Sequence, residues 1–341
     1  MRTKHSYYSN FYKTIGLVLL FFISNNTSKA QGYKNNWYFG ANVGINFSLG
    51  NPTFVAGSQI SMNLFNHSTT MSDDNGNLLF YSDAQTIWNA NNNVVTGLIG
   101  GFLSGSNNTS QGVSFKNPAN SSQYYYFYLT NTFSEGKVER NNSLYFSIIE
   151  TVNTPNLTLL QEDVEVLCNN CTGQPFSEGI TAIPHCNGID YWVIVHGDNE
   201  LIVFLINATG VHESGVFNFN LSGERGNLKA SPDGTRLAIG IEHPSGGVRV
   251  YDFNSTTGQI SNEVIITTNS QISGISFSPN SQILYASNRV DQVIESYNLS
   301  SPVPFDQMII NGANAYNMQL ANDGRIYVNR GGAIFSQNFM G

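Results

Sequence analysis

The sequence predicts an all-β protein: a β-propeller of four-stranded blades, seven-bladed, with a six-bladed ring as the alternative. Three observations predict it. A ten-residue phrase recurs, with "SPDGTRLAIG" (231–240) returning as "SPNSQILYAS" (278–287) and again as "ANDGRIYVNR" (321–330). Charged residues make up only 11% of the 341, aromatics make up 12% and Gly numbers 32, the profile of a chain with many turns and many buried rings. The apolar runs are short and bounded by Asn, Gly, Ser and Thr, without the long 3.6-residue periodicity of helices.

Three further copies stand upstream, around Gly76 in "SDDNGNLLFYSD", Asn120 in "KNPANSSQYYYFYLTN" and Gly188 in "HCNGIDYWVIVHG". The six are separated by 44, 68, 46, 47 and 43 residues, and all intervals but one match the period of a propeller blade. Within a copy, a strand such as "GISFS" enters a Pro-Asp-Gly, Pro-Asn-Ser or Asn-Gly turn, where Gly and Asn tolerate positive φ. A second strand such as "RLAIG" leaves it, a third follows ("VRVYDF"), and after "STTGQ" comes a fourth ("EVIITT"). One such quartet cannot bury both its faces, whereas stacking around an axis covers them and leaves a central channel lined by the first strands.

The chain opens on a targeting segment. Arg2, Lys4 and Lys13 accompany the apolar run Ile15–Ser24, and Ser28 and Ala30 supply small residues for a peptidase, so residues 1–30 are expected to be a signal peptide and 31–341 a single propeller domain. No later segment approaches about 20 consecutive apolar residues, so no membrane span is expected in the mature chain. "NWYFG" then reads as the second strand of a blade whose first strand and turn are missing, with "GINFS" and "PTFV" as its third and fourth. With the chain stopping at Gly341, the expectation is a propeller incomplete at its C-terminus, lacking a last outer strand and the innermost strand of a seventh blade. The alternative is a closed six-bladed ring with an N-terminal arm. The long interval places an insert at about 137–179, with "CNNC", the acids Glu139, Glu150, Glu162, Asp163 and Glu165, and part of the second blade. A long loop on a rigid disc is a natural recognition element.

Charge excludes one class of partner. The formal charge of -8 becomes -12 once the four cations of residues 1–30 are removed, and an acidic surface without basic clusters repels phosphate backbones, so nucleic acid is not expected. Cys168, Cys171 and Cys186 are the disulfide candidates: the close pair closes a small loop, or one member reaches Cys186. No cofactor is expected, since no Gly-x-Ser-x-Gly elbow, Walker loop, dinucleotide fingerprint or His-Glu-x-x-His occurs.

Two constellations invite a chemical reading. Asp73, Asn75 and Asn77 alternate as in a calcium loop, but Gly76 falls fourth and Ala84 twelfth, where an EF-hand needs Gly sixth and Glu twelfth, which favours a plain Asn-Gly turn. His185, His196, Glu242 and His243 fall at strand ends. If those ends share one face of the disc, the four form an acid/base set at the channel mouth; the plainer reading has them bonded to neighbouring loop groups. The run Tyr124 to Tyr128 is expected to bury about half its rings, Tyr125 and Phe127 or their alternates, between blades.

"NNWYFGANVGINFSLGNP", "MSDDNGNLLFYSDAQTIWN" and "ITAIPHCNGIDYWVIVHG" together resemble the propeller in the N-terminal part of large Bacteroidetes surface proteins, which often end in a gliding-motility-associated sorting domain used by type IX secretion. The resemblance implies export and a surface or secreted location, and it supplies no catalytic residues. The looser grammar also resembles WD-like and YVTN-type repeats, including lactonase-like propellers, and such motifs report the blade rather than its job. The function expected is that of a cell-surface or secreted binding or scaffold module whose partner is a protein or polysaccharide, with a propeller hydrolase acting at the channel mouth as the alternative.

Overall fold

Each recurring phrase folds as the turn of a β-hairpin. The N–H of Asp73, His185, Ser231, Ser278 and Ala321 donates to the carbonyl of Asn77, Asp190, Arg236, Ile283 and Arg325 respectively, at 2.8–2.9 Å. An Asx side chain holds each turn from inside: the Oδ1 atoms of Asp73, Asn187, Asp233, Asn280 and Asp323 accept the backbone N–H of Asn75, Ile189, Thr235, Gln282 and Arg325. Asp or Asn recurs there because its short side chain reaches the backbone two residues on.

The computed structural model describes residues 34–337 apart from 40–41, 49–50, 61–67, 99–111, 130–131, 134–139, 142, 172–175, 177–178, 198, 219–225, 302–305, 312–316 and 330–333. The expected signal peptide lies outside the described residues. Those residues contain no α-helix, and among them no helix is long and apolar enough to cross a membrane.

Six hairpin-headed blades follow one another as antiparallel meanders around an axis. Their first strands are Thr69–Ser72, Gly112–Asn117, Ile180–Pro184, Gly226–Ala230, Ile272–Phe277 and Asn317–Leu320. The first five blades have four strands each, and the sixth has three among the described residues, as does an N-terminal sheet formed by Asn36–Phe39, Val43–Asn46 and Thr53–Ala56.

A separate apolar core fills each joint between neighbours. Tyr124, Tyr126 and Tyr128 meet Met71 and Phe80 between the first and second blades, while Tyr125 and Phe127 meet Ile180, Val193 and Val195 between the second and third. All five rings of the run are therefore buried, not half of them, because both faces of a blade are covered. Further cores join the third to the fourth blade, the fourth to the fifth and the fifth to the sixth.

The N-terminal sheet closes the circle. Tyr38 packs with Tyr81 and Trp88 of the first blade, and Ile45 and Phe47 pack with Ala321 and Tyr327 of the sixth. Asn36 adds a buried polar tie, donating to Ser72 Oγ and to the carbonyl of Gly76 while accepting from Asn46. The expected resemblance of "NWYF" to a second strand holds in its pairing, since Asn36–Phe39 pairs with Val43–Asn46 and sits beside the first strand of the next blade. There its outward backbone groups are met by side chains: Thr70 Oγ1 accepts the N–H of Tyr38 at 3.1 Å, and Ser68 Oγ donates to its carbonyl.

As expected, the insert includes part of the second blade: Leu144–Asn153 and Asn156–Glu165, ten residues each, are its third and fourth strands. The extra length of the interval lies mainly in the connections on either side of these two strands, 130–143 and 166–179.

Candidate functional site

The residues singled out by sequence do not converge. First and second strands are antiparallel, Pro184 opposing Tyr191 and Ile180 opposing Val195. The end of one is therefore the start of the other, and His185 and His196 stand at opposite ends of their blade rather than near one face. The expectation that they share a channel mouth overlooked this reversal.

Each member is also engaged locally or sealed off. His185 Nδ1 accepts the N–H of Asn187 at 3.1 Å within its own turn, and its ring lies 5.3 Å from that of Trp192. His243 Nδ1 lies 2.7 Å from Ser245 Oγ and accepts the N–H of Ser245 at 3.2 Å. Glu242 forms an ion pair with Arg289 of the next blade. His196 is 1% exposed, neither ring nitrogen has a hydrogen-bond partner among the described residues, and burial lowers its pKa from 6.5 to about 4.

The Asp73 turn uses its own carboxylate. Oδ1 accepts the N–H groups of Asn75 and Asn77, and Oδ2 accepts Asn77 Nδ2 at 2.9 Å, so the calcium candidate reads as an Asx-stabilised hairpin. Among the described residues no group of three His, Cys, Asp or Glu is placed to hold a metal ion. Cys168 and Cys171 form a disulfide with a Cα–Cα distance of 5.6 Å, and Cys186 is free and exposed. The disulfide loop is fastened to the third blade, where Glu213 accepts the N–H of Asn169 at 2.8 Å and Asn170 Nδ2 at 2.7 Å.

Polar groups that the sequence reading passed over meet instead at the axis. Lys229, Ser276 and Gln319 hold one position, two residues before the turn, in the first strands of the fourth, fifth and sixth blades, paired with Ala238, Tyr285 and Tyr327. Lys229 Nζ spans two blades to donate to Gln319 Oε1 at 2.8 Å. Its ammonium pKa is lowered to about 8, first by desolvation and then by the positive charge of Lys34, two residues before the first strand of the N-terminal sheet. The Lys34 pKa is likewise lowered by desolvation, although its side chain is solvent-exposed. Aligning the chain's own copies would have exposed Lys229, since the matching residue one blade earlier is Ile183.

No family model matches the chain, and no curated protein is detectably similar. Solved structures of similar shape include a functionally unknown protein from Desulfotomaculum acetoxidans, 14% identical over 89% of this chain and 83% of that one, with a TM-score of 0.48. Another is a protein from Lactobacillus plantarum, 12% identical over 87% of each chain, TM-score 0.47. A third is the periplasmic gluconolactonase of Pseudomonas aeruginosa, 12% identical over 63% of each, TM-score 0.45. At these identities none of them carries its chemistry over to this chain.

Proposed function

We propose that this protein is an exported β-propeller, displayed at the cell surface or released, that works as a binding or scaffold module for a protein or polysaccharide partner, in the manner of gliding-motility-associated surface propellers. The observation that supports binding over hydrolysis is the employment of the histidine and carboxylate side chains at the blade ends: His185 and His243 hold their own turns, and Glu242 is paired with Arg289. A general base needs a free lone pair within reach of its substrate. Export is supported by the signal-like residues 1–30 and by cysteines that pair as they do in oxidising compartments.

Two measurements on the full chain test this. Protease treatment of intact host cells is expected to remove the protein, or the medium to contain it, and the purified protein is expected to be retained on the host's extracellular polysaccharide or surface protein fraction without opening aldonolactone rings. Retention in the cytoplasm, or lactone turnover above the uncatalysed rate, would overturn the reading.

A further inference from the structure

The joint between the sixth blade and the N-terminal sheet is covered along only part of its length. Ile45 and Phe47 of that sheet pack with Ala321 and Tyr327 of the sixth blade. Phe54 stands directly opposite Ile45 in register, and opposed residues of an antiparallel pair share a face, so Phe54 continues this apolar surface outward. It is nevertheless 84% exposed, more than any other large hydrophobic residue among those described. Its neighbour Val55, on the opposite face, packs against Tyr38, Tyr81 and Trp88 at the joint with the first blade. Joints between four-stranded blades show what belongs beside Phe54, because there the fourth strands on both sides feed one core. Val95 joins Leu157 and Leu159 between the first and second blades, and Phe217 joins Ile260 between the third and fourth. Thr53–Ala56 is the outer strand of the N-terminal sheet, whereas the sixth blade, among the described residues, has Ile334–Gln337 outermost, paired with Ile326–Asn329 on one side only. An open strand edge is a template for a further strand.

We infer that the outer edge of Ile334–Gln337 accepts a β-strand from a partner polypeptide, an extended segment whose alternate apolar side chains cover Phe54 and complete the sixth blade. Such strand addition takes its affinity from main-chain hydrogen bonds and its specificity from alternate side chains. The partner is an extended peptide because the site is bounded by a backbone edge on one side and an uncovered apolar ring on the other. The fourth strands of the other blades also have open outer edges, but a strand added to one of them would lie beyond both neighbouring blades and cover no apolar joint.

This rests on the reading of the protein as a binding module, whose partner it names as a polypeptide, and its test separates the two. The probe is a fluorescein-labelled synthetic peptide, QISNEVIITT, which copies the chain's own fourth strand from the fourth blade, Gln259–Thr268. Fluorescence anisotropy is expected to show saturable binding to the full chain, and hydrogen exchange is expected to slow at 334–337. A control peptide with Pro in place of Asn262 and Ile265 cannot pair as a strand and is expected not to bind. Phe54→Asp is expected to weaken binding by about tenfold or more, since a charge replaces the ring that the strand covers. Val264→Ser, on the outer strand of the fourth blade, is expected to leave it unchanged, and a circular-dichroism melt of each variant reports folding. Absence of binding, equal binding of the Pro peptide, unchanged binding by folded Phe54→Asp, or protection on another strand overturns the inference. So does a peptide-free dimer in which 334–337 is already protected, since the occupant is then a second copy. Lactone turnover with peptide binding intact would sink the module reading and leave strand acceptance standing. Retention on the host's surface protein fraction without peptide binding would do the reverse.

Discussion

His196 shows how a single side chain couples the core to pH. It ends the second strand of the third blade, buried beside Gly179, whose carbonyl accepts the His196 N–H at 2.9 Å, and a Cβ added at Gly179 would lie 3.2 Å from its Cβ. With neither ring nitrogen bonded, the neutral form is the one that the fold accommodates. The folded pKa of about 4 lies below the ordinary 6.5, so the unfolded chain takes up the proton first as pH falls. The associated stability is complete above pH 6.5 and is lost between there and 4, at most about 3 kcal/mol. Urea denaturation at two pH values bracketing that window should show His196→Leu losing less stability on acidification than the parent by up to that amount. Equal losses would mean that the ring finds solvent or a partner. Little of this was legible beforehand: the sequence places His196 at a strand end, and only the antiparallel return of the strand decides which end of the blade that is.

At the scale of the element, the hairpin turns were legible because Asx and Gly requirements are local, while the joints between blades were not. The joint between the third and fourth blades is an example. Trp192 Nε1 donates to the carbonyl of Ser255 at 2.8 Å, and its ring lies against Gly258, where an added Cβ would come within 2.6 Å. Gly258 has φ +72 and Gly188, in the turn of the third blade, has φ +73, but nothing lies within 4 Å of a Cβ at Gly188. Both Gly→Ala variants share the left-handed backbone strain, about 1 kcal/mol, and Gly258→Ala adds overpacking of about 1–3 kcal/mol. Chemical denaturation should therefore rank Gly258→Ala well below Gly188→Ala, and equal effects would remove Trp192 from the joint. The unpaired edge of the N-terminal sheet gives a second case. Thr70→Val keeps shape but strips the acceptor from the N–H of Tyr38, for which a loss of about 1–3 kcal/mol is expected; an unchanged midpoint would show that water replaces the hydroxyl there. From the sequence, "NWYF" reads as a strand short of a neighbour, and hydroxyl groups as its partners leave no periodic signal.

At the scale of the whole molecule, the repeat announced a ring because a blade buries its second face only against a neighbour, and the period near 45 residues carried that message without any long-range information. How the ring shuts was harder to read, because the closing contacts join residues far apart in the chain with no phrase in common. Trp37 and Phe47 stand edge-on to Tyr327, with ring centroids 5.5 and 5.4 Å away, and Asn322 Nδ2 donates to Asn35 Oδ1 at 2.8 Å across 287 residues of sequence. The direct test is a double variant, Asn35→Cys with Asn322→Cys, in a Cys186→Ser background, treated with a short bifunctional maleimide. Closure predicts efficient intramolecular cross-linking of the native protein, seen as a compacted band on a denaturing gel and lost when the chain is unfolded in urea beforehand. A natively folded protein that fails to cross-link would contradict the closed ring.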